Sequence, residues 1–167
     1  VDPAERREGY SAVLYDNTSG LPTSEAYAIA ETSEGFIWIG SYSGLIRYDG
    51  ETFERYRTTG GISSVTSLFV DSRDRLWIGT NDVGLAVMDR GKVTQWREED
   101  GLDSLRIMSI MEDDAGKVYA STATGIAMVD KRMELHMLED PRLENVYVED
   151  LRLGADGLVV GTTSSSD

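Results

Sequence analysis

Cysteine is absent from the 167 residues, and histidine occurs only once, at His136. The first absence excludes disulfides and thiolate metal sites, and the second argues against a histidine-based catalytic triad or a multi-histidine metal centre. Long apolar runs are also absent, so the sequence predicts neither a membrane span nor the apolar core of a signal peptide. The first residue is Val1 rather than Met, from which we expect a processed or excised piece of a longer protein.

The chain has few positively charged residues. The chain has 16 basic against 30 acidic residues and a net charge of -14, spread along its length. Such a surface repels phosphate backbones and anionic lipids, so we expect no nucleic-acid partner and no membrane contact by this segment itself. The hydrophobic content of 40% is that of a folded soluble domain.

A repeated pattern of about 40 residues runs through the chain. Residues 36–50 read FIWIGSYSGLIRYDG, and the segments 76–91 and 118–131 resemble them, with a fainter fourth copy at 158–162. Each of the first three copies has a large aromatic residue, then a glycine, then an aspartate five positions after that glycine. The aromatic residues are Trp38, Trp77 and Tyr119, and the glycine and aspartate pairs are Gly44 and Asp49, Gly84 and Asp89, and Gly125 and Asp130.

Each repeat contains four short apolar segments separated by turn residues, and none shows the period of a helix. In the second repeat these predicted strands are Val65–Val70, Leu76–Thr80, Leu85–Met88 and Val93–Trp96. A single four-stranded sheet cannot cover both its faces, so the repeats must stack. We therefore predict an all-β fold, a β-propeller with blades of four antiparallel strands. A sandwich or a barrel does not call for a repeat every fourth strand.

The predicted propeller is an incomplete ring. Residues 1–10 are interpreted as a tail or linker, and residues 11–167 as a partial propeller. The latter contains an outer strand at 13–15, complete blades at 21–56, 62–96 and 102–138, and a partial blade at 143–162. About three blades are thus complete, with partial blades at both ends.

The bulky and the small positions of the repeat have packing roles in this geometry. Trp38 and Trp77 are predicted to be wedges between adjacent sheets rather than platforms for sugars, because their place is fixed in the repeat. Gly40 and Gly79 follow them and are expected to let a neighbouring backbone come close. Gly44, Gly84 and Gly125 open the third strands, where we expect a positive φ.

The motifs carry a resemblance to a known family. Trp-Ile-Gly followed by Ser or Thr, then Gly-Leu with an aspartate five residues after that glycine, preceded by DSRDRL at 71–76, resembles the two-component regulator propeller repeat. The family builds extracytoplasmic sensor regions of membrane-bound histidine kinases, hybrid two-component systems and some diguanylate cyclases, and residues 20–56 are similar to the cyclase-linked kind. The third repeat departs from the pattern, with Tyr119-Ala120-Ser121 in place of Trp-Ile-Gly.

The sequence offers little for chemistry, and we predict no catalytic residue, no metal site and no cofactor. The acidic clusters at 98–100, 112–114 and 149–150 lack the alternating aspartates with a central glycine of a compact calcium loop. Neither type of glycine-rich phosphate loop is present.

A binding site is expected on the face formed by the loops before the first strands and between the second and third strands. The residues there are small, polar and varied between repeats. The candidate ligand-binding residues are Glu25, Tyr42, Asn81, Asp82, Asp103, Ser104 and Thr124, with Thr23, Ser24, Ser63 and Ser64 beside them.

Two classes of function remain open, with a third ranked last. The resemblance implies an extracytoplasmic sensing or dimer-coupling segment of a bacterial receptor, of diguanylate cyclase or histidine kinase type, whose ligand is a saccharide or a peptide. The alternative is a stand-alone scaffold that binds another protein. A glycan-active enzyme on a propeller ranks last, because a fold alone does not confer chemistry.

The open ends of the predicted ring have a consequence that can be measured. Exposed strand edges and uncovered sheet faces favour association, so we expect this chain to self-associate, for example with two copies completing one ring. Light scattering of the purified chain should give a mass above that of one chain. A cooperatively folded monomer would contradict this prediction.

Overall fold

The computed structural model describes residues 15, 17–23, 25–58, 60–143, 147–155 and 159–163. These residues form fourteen strands, with single turns of 3-10 helix between some of them. Every strand pairing is antiparallel, and each complete sheet follows the chain in order from its first to its fourth strand. The predicted tail and residues 13 and 14 of the predicted outer strand lie outside the described part.

Three sheets are complete and one is represented by two strands. The first contains β1 (Ala28–Glu31), β2 (Ile37–Ser41), β3 (Gly44–Tyr48) and β4 (Phe53–Tyr56). The second contains β5 (Val65–Val70), β6 (Leu76–Thr80), β7 (Leu85–Asp89) and β8 (Lys92–Trp96). The third contains β9 (Ile107–Glu112), β10 (Val118–Thr122), β11 (Ile126–Val129) and β12 (Leu135–Met137), and β13 (Val148–Leu153) pairs with β14 (Val159–Thr163).

The predicted fold class is confirmed, with three four-stranded antiparallel sheets in an open arrangement. Strands β5 and β6 have the predicted bounds, whereas β7 and β8 each extend one residue into the turn. The turn is shorter than expected because Arg90 and Gly91 alone make it, both at positive φ, with φ of 48° and 83°. This backbone is that of a two-residue hairpin turn whose twist matches the flanking strands.

The first strands of successive sheets contact one another, β1 with β5, β5 with β9 and β9 with β13. Glycine permits this approach. A Cβ on Gly40 would lie 2.5 Å from Cγ1 of Val65, and a Cβ on Gly79 would lie 2.8 Å from Cγ2 of Ile107. The expected role of both glycines in close packing is therefore confirmed.

Two tryptophans fill the space between sheets, as the sequence predicts. Trp38 is 5% exposed and packs with residues of the second sheet, including Leu76 and Met88. Trp77 is fully buried and packs with Val118 and Val129 of the third sheet. At roughly 25 cal/mol per Å2 of apolar surface, burying such a ring is among the largest single contributions that one side chain makes to stability.

The third repeat has more polar residues at the same interface. Ser121, at the place of Gly40 and Gly79, is buried, and its hydroxyl accepts a hydrogen bond from the backbone N–H of Ser109 at 3.1 Å. The Ser109 hydroxyl in turn accepts from the backbone N–H of Leu151 at 3.1 Å. A hydrogen-bonded chain thus joins the third sheet to β13 where glycine joins the others.

The expected positive φ occurs at Gly44 and Gly84, with φ of 121° and 86°. At Gly125 the expectation is wrong, because its φ is not positive. Space rather than backbone conformation requires glycine there, since a Cβ would lie 2.9 Å from Oδ2 of Asp103. The turn is instead closed by Thr122, whose Oγ1 accepts from the backbone N–H of Gly125 at 2.9 Å.

A buried carboxylate organises the turn between β5 and β6. Asp71 accepts hydrogen bonds from Nε1 of Trp77 at 2.8 Å and from Nε of Arg75 at 2.6 Å, and from the backbone N–H groups of Arg73 and Arg75. Burial opposes ionisation of Asp71, but the hydrogen bonds from Trp77 and Arg75 outweigh it and hold the pKa of this carboxyl below its usual range. In the third sheet, Asp113 stands in the same place and accepts from the Tyr119 hydroxyl at 3.0 Å.

The same turns also join neighbouring sheets. Ser33 donates its backbone N–H to Asp74 of the next sheet at 2.8 Å, and Ser72 donates its backbone N–H to Glu112 of the sheet after that at 2.6 Å. In both pairs the serine hydroxyl bonds to the second oxygen of the same carboxylate. We call these two-point contacts the serine clamps.

The Asp71 network gives a pH-dependent prediction. Asp71→Asn should lower the free energy of unfolding by about 2 kcal/mol at neutral pH, as expected for hydrogen bonds to a charged group. Because the folded-state pKa of Asp71 is lowered, its contribution is present above its unfolded-state pKa and is lost as the pH falls below about 4. Urea unfolding at neutral and acidic pH should therefore show a smaller difference between wild type and variant in acid. The exposed Asp82→Asn variant is the control, and an equal gap at both pH values would contradict the assignment.

Candidate functional site

The loops that sequence reasoning placed on one face are joined there by backbone hydrogen bonds. The N–H of Ser64, in the loop before β5, donates to the carbonyl of Tyr42 at 2.8 Å. The N–H of Asn81, in the loop after β6, donates to the carbonyl of Ser64 at 2.9 Å. Ser64 therefore links the first sheet to the second at this face, which we call the loop face.

A cavity of about 210 Å3 opens on the loop face between the first and second sheets. Its lining residues come from the segment before β1, from the loop between β2 and β3, and from the loop between β6 and β7. The end of the loop before β5 and the start of β5 complete the lining. The lining residues are Tyr27, Tyr42, Ser64, Val65, Thr66 and Asn81. We call this cavity the loop-face hollow.

Polar groups without internal partners line the loop-face hollow. Ser64 is 5% exposed, yet its hydroxyl has no hydrogen bond among the described residues. Its backbone is held at φ 50°, a conformation that non-glycine residues seldom adopt and that clusters at functional sites. The side-chain amide of Asn81 likewise has no partner among the described residues and is exposed. The hollow thus offers a hydroxyl and an amide to a ligand.

Two exposed tyrosines form its aromatic walls. Tyr27 is 56% and Tyr42 is 70% exposed, which is unusual for such large rings. The Tyr27 hydroxyl donates to Oε2 of Glu25 at 2.6 Å. This hydrogen bond, together with the negative charge of Glu25, raises the pKa of the Tyr27 phenol. The neutral ring is therefore held in place over a wide pH range.

The seven residues predicted to bind a ligand lie in different places in the structure. Tyr42 and Asn81 line the loop-face hollow, and Glu25 reaches it through Tyr27. Asp103 and Thr124 line a second, shallower depression of about 500 Å3 at the third sheet. There Asp103 accepts a hydrogen bond from the Thr122 hydroxyl at 2.8 Å, so its carboxylate holds a loop together.

Two of the seven have other surroundings. Ser104 accepts a hydrogen bond from the backbone N–H of Arg106 at 3.3 Å, and Asp82 is exposed and lines neither depression. Sequence reasoning missed Tyr27 and Thr66, because residues 26–31 of the first repeat and Val65–Val70 of the second were both predicted to be first strands. An exposed aromatic residue directly before a first strand is the signal that could have found Tyr27.

One group of side chains could hold a divalent cation. The ligand atoms of Asp130, Glu134 and His136, on the turn between β11 and β12 and on β12, lie within 4.8 Å of one another. Oδ1 of Asp130 accepts from the backbone N–H groups of Arg132 and Glu134, and Oδ2 lies 3.1 Å from Nε2 of His136. These contacts serve the turn itself, and they give the single histidine a structural partner.

The fold and the repeated packing define this chain as a segment of a β-propeller. A family model described as "Two component regulator propeller" matches residues 20–43 and 60–82. This match confirms the resemblance seen in the sequence. The matched residues include Trp38 and Trp77, Gly40 and Gly79, and the loop residues Tyr42, Ser64 and Asn81.

One curated relative is a histidine kinase. Histidine kinase P4 of Formosa agariphila is 34% identical over 83 residues, which are 42% of this chain and 6% of the relative. The chain therefore spans only a small part of the length of the curated relative that it matches.

Solved structures share the fold. The extracellular domain of a protein described as a hybrid two-component system of B. thetaiotaomicron superimposes with a TM-score of 0.73 at 24% identity, over 89% of this chain and 22% of that chain. The extracellular domain of another, described as a one-component system of the same organism, gives 0.68 at 26% identity, over 86% and 21%. Virginiamycin B lyase of Staphylococcus aureus gives 0.69 at 16% identity, over 83% and 48%, and shares the fold alone.

No helix in the described part of this chain is long and apolar enough to cross a membrane.

The pair formed by Tyr27 and Glu25 can be tested directly. Glu25→Gln should lower the pKa of Tyr27 toward the ordinary tyrosine value of about 10, because the charge that penalises the phenolate is removed. An NMR titration of the tyrosine ring resonances measures this, and the Tyr27 ring of the wild-type chain is the reference. An unchanged Tyr27 pKa in the variant would show that the pair does not form in solution.

Proposed function

We propose that this chain is a ligand-sensing segment of the extracytoplasmic region of a bacterial signal-transduction receptor, and that its ligand occupies the loop-face hollow. The observation that carries the proposal is the hydroxyl of Ser64, which has no hydrogen bond among the described residues and lines a cavity walled by two exposed tyrosines. The family of the repeats, the histidine kinase relative and the extracellular structural neighbours support the receptor context.

The chemistry of the hollow suits a small saccharide. Tyrosine rings offer flat apolar faces to the C–H groups of a sugar ring, while Ser64 and Asn81 offer hydrogen bonds to its hydroxyl groups. A volume of about 210 Å3 has room for about one sugar ring rather than a long chain. A short peptide fragment is the alternative ligand.

The receptor's output lies outside these residues. A histidine kinase or a diguanylate cyclase domain would supply it, and ligand binding would act by shifting the pairing of two receptor chains. This segment is proposed to have no catalytic role. Propellers with lyase activity share its fold, but a similarity of 16% identity does not support assigning lyase activity to this chain.

Self-association is part of the same proposal. Ile29 on β1 is 70% exposed, and it lies on a first strand whose counterparts in the next two sheets each pack against a preceding sheet. An uncovered apolar residue in the innermost strand favours contact with another sheet. Either a neighbouring segment of the same protein or a second copy of this chain would cover it.

Ligand binding by the hollow can be measured by calorimetric titration with a panel of neutral saccharides and short peptides. Tyr42→Ala should weaken binding about five-fold to ten-fold, because one stacking wall is lost. Ser64→Ala should weaken it about five-fold by removing one hydrogen bond. Asp82→Ala, which changes the residue next to Asn81 but lies outside the hollow, should leave the affinity unchanged. Equal affinities of all three variants and the wild type would contradict this site, as would the absence of binding by any member of the panel.

A further inference from the structure

The loop-face hollow lies beside a negative charge that the described part of the chain does not neutralise. Glu25 is exposed, and its carboxylate forms no ion pair with any described residue. Its Oε2 accepts the hydrogen bond from the Tyr27 hydroxyl at 2.6 Å, whereas Oε1 has no hydrogen bond among the described residues. The described residues that line the hollow are all uncharged. The charge of Glu25 therefore favours a positively charged group at this place.

The two tyrosine rings of the hollow also lack a cation. Elsewhere in the chain, aromatic rings receive one: Cζ of Arg47 lies 4.6 Å from the ring centroid of Phe36, and that of Arg75 lies 5.5 Å from the ring centroid of Trp77. The rings of Tyr27 and Tyr42 have neither a cation nor another ring against them in the described part of the chain. Because the face of a tyrosine ring attracts cations, these exposed rings can accept one from a ligand.

The positive charge of Arg55 is used elsewhere. Arg55 lines a neighbouring depression that shares Tyr42 with the hollow. Its guanidinium donates to the carbonyl of Pro22 at 2.5 Å and to the hydroxyl of Ser43 at 2.8 Å. These bonds join two loops of the first sheet, and Arg55 forms no ion pair with Glu25.

The second depression, at the third sheet, lacks this combination. Two of its carboxylates have partners, since Asp140 pairs with Arg142 at 2.5 Å and Asp103 accepts from the Thr122 hydroxyl at 2.8 Å. None of the described residues that line it is aromatic. Acidic residues are common on this chain, but an unpaired carboxylate beside two uncovered rings occurs at the hollow and not at this depression.

We propose that the loop-face hollow selects ligands that carry an ammonium group, which lies against the rings of Tyr27 and Tyr42 and pairs with the carboxylate of Glu25. An ammonium group donates three hydrogen bonds and accepts none, so it also suits the Ser64 hydroxyl, which can accept one. Such a group occurs on an amino sugar and at the amino terminus of a peptide fragment. The inference rests on the function proposed above, because it assigns a charge to the ligand of the same hollow.

Two pairs of probes test the charge, because acetylation of an amine removes its charge and keeps the rest of the molecule. The pairs are D-glucosamine with N-acetyl-D-glucosamine, and alanyl-alanine amide with its N-acetyl form. Calorimetric titrations of the whole chain at mildly acidic pH, where the amines and Glu25 are both ionised, measure the affinities. We expect the charged member of at least one pair to bind about ten-fold more tightly, and the pair that does so identifies the source of the ammonium group.

The other outcomes separate this inference from the function on which it rests. Equal affinities within both pairs overturn the selection for an ammonium group but leave the hollow as a binding site. If none of the four probes binds, the inference and the proposed function both fail.

Three variants localise the effect. Glu25→Gln keeps an acceptor for the Tyr27 hydroxyl and removes the charge, so the advantage of the charged probe should fall to about two-fold. Tyr42→Leu keeps an apolar wall without an aromatic ring and should also reduce this advantage. Glu31→Gln removes one charge at the opposite end of β1 from Tyr27 and should leave the advantage unchanged. If Glu25→Gln retains the full advantage, or if Glu31→Gln loses as much of it, the attraction belongs to the acidic surface as a whole and the assignment is wrong.

Discussion

A four-stranded sheet with two apolar faces cannot be stable in water by itself, and this constraint shapes the whole chain. Each sheet is covered by the next one, and the cover requires a large ring on the second strand with a small residue two positions later. Trp77 and Gly79 show the pairing most clearly: the ring fills the outer part of the interface, and the missing side chain lets β9 come close in the inner part. The indole N–H of that ring donates a hydrogen bond to Asp71, which fixes the turn, so packing and polar contacts depend on one another.

The fold could be predicted from the sequence because the need to cover each sheet with the next one determines which residue types recur in every repeat. Trp38, Trp77 and the glycines after them are visible without a structure. Gly125 was predicted less well, because a glycine kept for space and a glycine kept for positive φ look the same in a sequence. The role of Ser72 was also missed, since a clamp between sheets joins residues about 40 positions apart.

The candidate sites were predictable only in part, for a related reason. Packing repeats, whereas binding arises where one repeat differs from the next. The loops with Tyr42 and Asn81 could be identified as variable, but whether two loops meet in one cavity depends on how the sheets are rotated against each other. Asp103 was also a predicted ligand-binding residue, but its carboxylate accepts a hydrogen bond from Thr122 of β10, which the sequence does not show.

The serine clamps give the stack of sheets a direction. In each clamp the earlier sheet supplies the donor and the later sheet supplies the carboxylate, so the two faces of a sheet are chemically different. Glu31 stands in the first sheet where Glu112 stands in the third, and it is exposed with no side-chain hydrogen bond among the described residues. The open face of the first sheet is therefore an acceptor end. A sheet that covered this face in the way the second and third sheets are covered would present a serine donor to Glu31, so the contact would be head-to-tail rather than two-fold symmetric.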